Sequence, residues 1–377
     1  MTVYLDNAAT TSPKPRSVIN ATQNAMMNLS ANPGRGGHHL AMAANDMIYS
    51  VREQAADFFN AQSALNVVFT PNCTTALNTA IFGILSGGGH AIISPFEHNA
   101  VLRPLTALSA RGVQFDIASY STDDDITVKN FEKLIKNNTR AIICTHASNV
   151  FGMVLPIEKL GNLCKNHGIY FIVDAAQTAG ILDIDVMKMN IGALAVAAHK
   201  GLYAPTGAGL LITDGAHNPL IYGGTGGDSR RRYLPDDPPD KYESGTLNTA
   251  SIKGIGAGIS FVKSRRNRYL KNEHRQINYV NRVLSQTQNV ILYSDTSAGN
   301  FVPVLSFNIK NLHSEQVAKQ LDSFGICVRA GLHCAPLAHE HMGTADIGTV
   351  RVAVSAFTTD NEIDYFLRCV KIIANKQ

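Results

Sequence analysis

From residue 65 to about 213, short apolar runs alternate with longer segments in which apolar positions recur at helical spacing. "NVVFT", "HAIIS", "VQFDIA", "RAIICTH", "IYFIVDA" and "ALAVAAH" predict strands, and the segments after residues 74, 98, 128 and 157 predict helices between them. Strands that are apolar on both faces and alternate with helices predict an α/β fold with a mostly parallel sheet covered on both sides. Ahead of them, "HHLAMAANDMIYSVREQAADFF", 38 to 59, has helical spacing and predicts a core-facing helix.

A second region starts near residue 260. It predicts a basic amphipathic helix over about 260 to 287, then "VPVLSFNI", the helix "HSEQVAKQLDSF", the strand-like "GICVRA", a loop containing Cys334, "TVRVAVSA" and a C-terminal helix. This pattern suits a smaller α+β unit packed against the first. The link "YLPDDPPDKYESGTLNT" is rich in Pro and Asp and predicts a loop. "GIGAGI", 254 to 259, mimics part of a nucleotide-binding glycine pattern, but no apolar strand leads into it, so close helix packing is the better reading.

Ligands of parallel sheets collect beyond the carboxyl ends of the strands. Polar residues stand there in "PNCTTALN", "PFEHNA", "HASNVFG", "DAAQTAG" and "HKGLYAPTG". Thr74, His98, Asn149, Asp174 with Gln177, and His199 with Lys200 are thereby brought to one rim.

Composition narrows the classes. A chain of 377 residues fits about two domains, and 45% hydrophobic with 16% charged residues is globular. A net charge of +4 is too small to point to nucleic acid or an acidic membrane surface. The basic stretch over 263 to 275 reads as a solvated helix face, no apolar run approaches the roughly 18 residues of a membrane span, and no secretory pattern opens the chain. A cytoplasmic protein is expected. Its six cysteines are scattered without a CxxC pair, as expected of free thiols in a reducing compartment. Cys334 differs from the rest, since Gly, Pro and two His surround it in "RAGLHCAPLAH".

The rim has the parts one cofactor needs. "PNCTTALN" opens a helix whose N–H groups and hydroxyls suit a phosphate. Asp174, at the end of an apolar strand, suits a protonated ring nitrogen. Lys200 suits an aldehyde, His98 a ring face, and Gln177 or Asn149 a ring oxygen. Together they describe pyridoxal 5'-phosphate. A strand that ends on Lys200 sets its amine in a dry place where its pKa falls and it can react.

From "YLDNAAT" through "EHNA", "SNVFG", "VDAAQTAG", "AHK" and "SGTLNT" to "RAGLHCA" and "VRVAVSAF", the chain resembles the class V, fold-type I aminotransferases. Within them it is most similar to the cysteine desulfurase and selenocysteine lyase group, in its second subgroup. The resemblance implies a large domain over 16–255 with a mostly parallel seven-stranded sheet, and a small domain formed by 1–15 and 256–377. It implies that Lys200 carries the Schiff base, Asp174 pairs with the pyridine nitrogen, Gln177 contacts the ring oxygen and His98 stacks on the ring. Thr74 and His199 would hold the phosphate, with Cys73 beside them, and Thr246 would reach the phosphate of the neighbouring subunit of a homodimer. Asn149 and Arg351 resemble the pair that holds the substrate carboxylate, and Arg35 with His38 would border the site. Cys334 matches the catalytic cysteine, which takes sulfur from L-cysteine, or selenium from selenocysteine, as alanine leaves, and passes it to an acceptor protein. A thiolate needs a positive charge or proton acceptor nearby, and His333 and His98 are the candidates. Two departures stand out: Ala197 where the family usually has Ser, and Cys73 with Thr75 where relatives often have Thr and Glu.

Other readings remain open on the residues alone. A C–S lyase giving pyruvate, or a transaminase, uses the same frame, and a non-catalytic sulfur-transfer scaffold would keep the fold without the chemistry. Cys334, His339 and His341 also form a possible metal set, without an apparent fourth ligand.

Overall fold

The computed structural model describes residues 2–34, 37–226, 230–294, 296 and 300–377, without the side chain of Arg265. The chain opens with β1 (Val3–Tyr4), α1 (Arg16–Asn28) and α2 (His39–Phe59). It then alternates through β2 (Val67–Thr70), α3 (Cys73–Leu85), β3 (His90–Ile93), α4 (Asn99–Ser109), β4 (Gln114–Ile117), α5 (Asp124–Glu132), β5 (Thr139–Thr145), α6 (Ile157–His167), β6 (Tyr170–Asp174), β7 (Ala193–Ala197) and β8 (Gly209–Thr213). The 37-residue α7 (Thr249–Ser285) follows. After it come β9 (Val290–Leu292), β10 (Val304–Ile309), α8 (Ser314–Ser323), β11 (Ile326–Cys327), β12 (Arg329–Gly331), α9 (Pro336–His341), β13 (Thr349–Ala353) and α10 (Asp360–Ala374).

Seven strands form the central sheet in the order β2-β8-β7-β6-β5-β3-β4. β7, β6, β5, β3 and β4 run parallel, while β8 is antiparallel to both its neighbours. The continuous apolar runs are explained by burial on both faces. Ile142, Cys144, Phe171, Val173, Leu194 and Val196 pack with α2, α6 and α7, whereas Ala141, Ile143, Ile172, Ala193 and Ala195 face α3 and α4. This α/β architecture with a mostly parallel sheet is the one the sequence predicts.

The second sheet, β12-β13-β10-β9, is antiparallel. Its core joins Ile277 and Val280 of α7 to residues of α8 and α10, and also takes in Val3 and Leu5 from the start of the chain. β1 pairs there with β11.

Two helices begin earlier than their apolar spacing predicts. α5 starts at Asp124 because the Asp123 carboxylate accepts N–H bonds from Asp125 and Ile126, a cap that satisfies the free donors of a first turn. α7 starts at Thr249, with Asn248 accepting from the Ser251 N–H, so "GIGAGI" lies inside the helix. Its glycines serve packing: a Cβ on Gly258 would lie 2.0 Å from the Leu202 carbonyl oxygen.

Candidate active site

β5, β6 and β7 lie in register, with Thr145 opposite Asp174 and Asp174 opposite Ala195. Their carboxyl ends open onto a cavity of about 430 Å³. Cys73, Thr74, His98, Asn149, Asp174, Gln177, His199, Lys200, Cys334 and Arg351 all line it. Thr246 does not; it is exposed and borders a separate cavity with Leu220 and Ile221. Arg35 lies outside the described residues. His38 caps α2 instead, its Nδ1 accepting from the Ala41 N–H.

One wall is the start of α3. Asn72 caps it, accepting from the Thr75 N–H at 2.9 Å, and the helix presents Cys73 and Thr74 to the cavity. The approach of this turn to the sheet requires glycine at 209, where a Cβ would lie 2.8 Å from the Asn72 carbonyl carbon. Asp174 is 4% exposed. Its Oδ1 accepts from the Ala176 N–H at 2.8 Å and from the Cys73 thiol at 3.6 Å, which leaves Oδ2 for a ligand. Burial, then the neighbouring Asp174 carboxylate, push the Cys73 thiol well up, so it stays protonated as a donor.

His98 caps α4, its Nδ1 accepting from the Ala100 N–H at 3.0 Å. The neutral ring therefore carries its proton on Nε2, and burial lowers its pKa although Asp174 opposes the shift. Lys200 follows β7. Desolvation lowers its pKa, while Asp174 and Cys73 pull the other way. The turn is tied down through the His199 carbonyl, which accepts from Lys14 Nζ at 2.7 Å and from the Thr10 and Thr11 hydroxyls at 3.2 Å. Burial, with Lys200 and Lys14 nearby, lowers His199 to about 4, so its ring is neutral at pH 7.

The small sheet supplies the opposite wall. Arg351 on β13 is 3% exposed; its Nη2 donates to Asp6 Oδ1 and its Nη1 to the Asn149 carbonyl, both at 2.9 Å. Asp6 Oδ2 also accepts from Arg329 Nε at 3.1 Å. Asn149 Nδ2 donates to the His333 carbonyl at 2.9 Å. Gln177 Nε2 donates to the Ala8 carbonyl at 3.1 Å.

Cys334 is exposed in the turn between β12 and α9. His333 beside it is no source of positive charge: burial lowers it to about 2, and both its ring nitrogens are engaged. Nor do Cys334, His339 and His341 converge as a metal set. The His341 ring packs edge-on against Phe96 and Tyr120, while His339 turns to His333 and Thr344.

Asp6, Arg329, Lys14 and Glu97 are participants that sequence reasoning did not single out. Glu97 is wholly buried and pushed up to about 8 by burial; its Oε1 accepts from the Ser94 hydroxyl at 2.5 Å and from the Thr145 N–H at 2.7 Å. It joins the ends of β3 and β5 just before His98. Each of Asp6, Glu97 and Arg329 stands in a motif quoted above, and a charged residue inside such a stretch is itself the available signal.

A phosphorylated, cationic ring aldehyde fits this donor set. The cavity presents a helix N-terminus, a carboxylate oxygen, and an amine of lowered pKa. Three of the lining residues also carry a buried polar atom with no hydrogen-bond partner among the described residues: Asn149 Oδ1, His199 Nδ1 and Arg351 Nε. Buried polar atoms of this kind call for a ligand or water.

The family model for class-V aminotransferases matches residues 3–366. This chain belongs to that family. Among its relatives, a probable cysteine desulfurase of Methanothermobacter thermautotrophicus is 34% identical over 99% of this chain and 94% of its own length. One from Pyrococcus abyssi is 32% identical over 97% and 92%. The solved apo structure of cysteine desulfurase from Thermococcus onnurineus NA1 has a TM-score of 0.91 to this class-V chain at 29% identity. That match covers 100% of this chain and 95% of the other.

Proposed function

We propose that this protein is a pyridoxal 5'-phosphate-dependent cysteine desulfurase that converts L-cysteine to L-alanine and leaves the sulfur as a persulfide on Cys334. The observation that carries the reading is the meeting of Lys200, Asp174, Arg351 and Cys334 on one cavity, in a chain whose relatives bear that name.

Bound pyridoxal phosphate supplies an electron sink for the carbanion formed at the substrate Cα. Asp174 Oδ2 would pair with its ring nitrogen, His98 would contact the ring, Gln177 would meet the ring oxygen, and Thr74, His199 and the start of α3 would hold the phosphate beside Cys73. Arg351, already oriented by Asp6, and Asn149 bind the substrate carboxylate. The lowered pKa of Lys200 leaves its amine ready to accept the Cα proton. The Cys334 thiolate attacks the substrate sulfur as the Cβ–S bond breaks. Two thiols become one persulfide, and Cβ gains the electron pair and a proton, so the exchange is balanced without an outside oxidant.

The exposed Thr246, beside Leu220 and Ile221, supports a homodimer in which that hydroxyl reaches the partner's phosphate. The joint packing of Val3 and Leu5 with the C-terminal core supports a small domain of 1–15 and 256–377 against a large one of 16–255. The persulfide passes to an acceptor protein in the cytoplasm. No helix among the described residues is long and apolar enough to cross a membrane.

The test is the visible spectrum of the purified protein with pyridoxal phosphate, followed by L-cysteine under a reductant with alanine, sulfide and pyruvate measured together. Equal alanine and sulfide, lost in Cys334→Ala while the visible band remains, is the expected result. Pyruvate formation, or amino-group transfer that survives Cys334→Ala, overturns it.

A further inference from the structure

His333 and Cys334 both adopt left-handed backbone geometry, with φ of 50° and 57°. Side chains other than glycine hold such a conformation only where their surroundings impose it. Backbone contacts do part of this. The Cys334 carbonyl accepts from the Asn99 N–H at 2.7 Å, and the His333 carbonyl accepts from Asn149.

The rest comes from a chain of buried rings. His333 Nε2 lies 3.4 Å from the Arg329 carbonyl, His333 Nδ1 lies 3.5 Å from His339 Nε2, and His339 Nδ1 lies 2.8 Å from Thr344 Oγ1. The two imidazoles are nearly parallel, at 12°, and meet end to end through these nitrogens, with centroids 5.7 Å apart. His339 is 0% and Thr344 1% exposed.

The direction of every bond follows from the carbonyl at one end. A carbonyl only accepts, so His333 Nε2 carries hydrogen and Nδ1 is left as acceptor. His339 must then donate from Nε2, which leaves its Nδ1 to accept from the Thr344 hydroxyl. Each ring is neutral in one tautomer, and the second His fixes the first as an outer group fixes a ligating imidazole.

We propose that Thr344 and His339 are positioning residues of the Cys334 site: a one-way sequence of donors from the Thr344 hydroxyl to the Arg329 carbonyl holds His333, and with it the Cys334 backbone, in the geometry needed for attack on the substrate sulfur. This rests on the reading of Cys334 as the nucleophile. Neither residue borders the cavity, and their side chains connect to it through His333.

Thr344→Val keeps the shape and removes the one hydroxyl, while Thr344→Ser keeps the donor. Each holoenzyme is assayed for kcat and KM with L-cysteine and for iodoacetamide labelling of Cys334, located by peptide mass. In Thr344→Val, kcat falls about tenfold, the worth of roughly one such hydrogen bond. KM and the cofactor band hold, Cys334 labelling changes, and Thr344→Ser restores wild-type values. Unchanged kcat and labelling in Thr344→Val, or a Ser variant as impaired as the Val variant, overturns the proposal. Should Thr344→Val fail to fold, His339→Phe, which keeps an aromatic ring and removes both nitrogens, is read by the same kcat and labelling outcomes. Continued alanine and sulfide production by Cys334→Ala instead overturns the reading beneath it, so the two failures are distinct.

Discussion

Cys73 Sγ and Asp174 Oδ1 lie 3.6 Å apart, the thiol at the first turn of α3 donating to a carboxylate at the last residue of β6. With Ala176 N–H on the same oxygen, the carboxylate is held by two donors, both on Oδ1, and Oδ2 is left to neither. On the proposed reading, the residue that departs from the pattern of relatives thus has a use: it orients the carboxylate that would meet the pyridine nitrogen.

Cys73→Ser retains a donor and is expected to bind pyridoxal phosphate nearly as the parent does. Cys73→Val fills the space without donating and is expected to weaken cofactor binding by about twofold to tenfold, since one hydrogen bond is worth ~0.5–1.5 kcal/mol. Equilibrium dialysis of the cofactor measures both; equal affinity in the Val variant removes the role.

Asp6 faces two guanidiniums, Arg351 and Arg329, one through each oxygen. Removing it leaves Arg351 buried without its counter-charge, and breaking such a pair destabilises by roughly 3 kcal/mol. Asp6→Ala is therefore expected to lower Tm and to raise KM for L-cysteine about tenfold, the loss of ~1.4 kcal/mol of carboxylate binding, with a smaller change in kcat. Steady-state kinetics at a temperature where the variant is folded separates the two effects. A KM equal to that of the parent would show that Asp6 does not orient the carboxylate clamp.

How much of this was legible in the chain depends on sequence distance. β5, β6 and β7 are buried on both faces, so their apolar runs are unbroken and their ends mark Asp174 and Lys200 directly. Asp6 and Arg351 are 345 positions apart, and no local pattern joins an N-terminal loop to a strand near the other end. The first turns of α7 were hidden for another reason. Glycine weakens a helix, so "GIGAGI" lacks helical propensity, and contact with Pro205 at Gly254, Val51 at Gly256 and Leu202 at Gly258 explains why glycine stands there. β1 and β11 are two residues each, too short for any alternation to appear.

That contact yields a prediction at Gly258. Its helix crosses directly over the Leu202 carbonyl, two residues after Lys200. Gly258→Ala places a methyl 2.0 Å from that oxygen, and backbone on both sides must move. A destabilisation of about 3 kcal/mol is expected, at the upper end for overpacking, together with loss of kcat from displacement of the Lys200 turn. Thermal unfolding and the visible spectrum of the holoenzyme test this; a variant with the parent's Tm and spectrum would mean that α7 can shift without disturbing the turn.

Glu273 on α7 provides a pH test remote from the chemistry. It is 1% exposed, accepts from the Tyr203 hydroxyl at 3.4 Å, and has no partner for Oε2 among the described residues. Burial raises it to about 8, with the Tyr203 hydrogen bond opposing, whereas in the unfolded chain it titrates near an ordinary Glu value of about 4.3. Between those values the folded protein keeps a proton that the unfolded chain has released. Stability from this group is therefore fully present below about pH 4.3, falls as pH rises through the interval, and is lost above about 8. Glu273→Gln keeps an acceptor for Tyr203 and cannot ionise. Its stability relative to the parent is expected to be smallest near pH 4 and to grow toward pH 8, where it levels off, with an upper slope of about 1.4 kcal/mol per pH unit. Glu97 has a shift of the same sign, so both proteins retain a pH slope and only their difference reports Glu273. Urea unfolding at matched pH values measures that difference; a constant gap across the range would show that the buried carboxyl does not hold its proton.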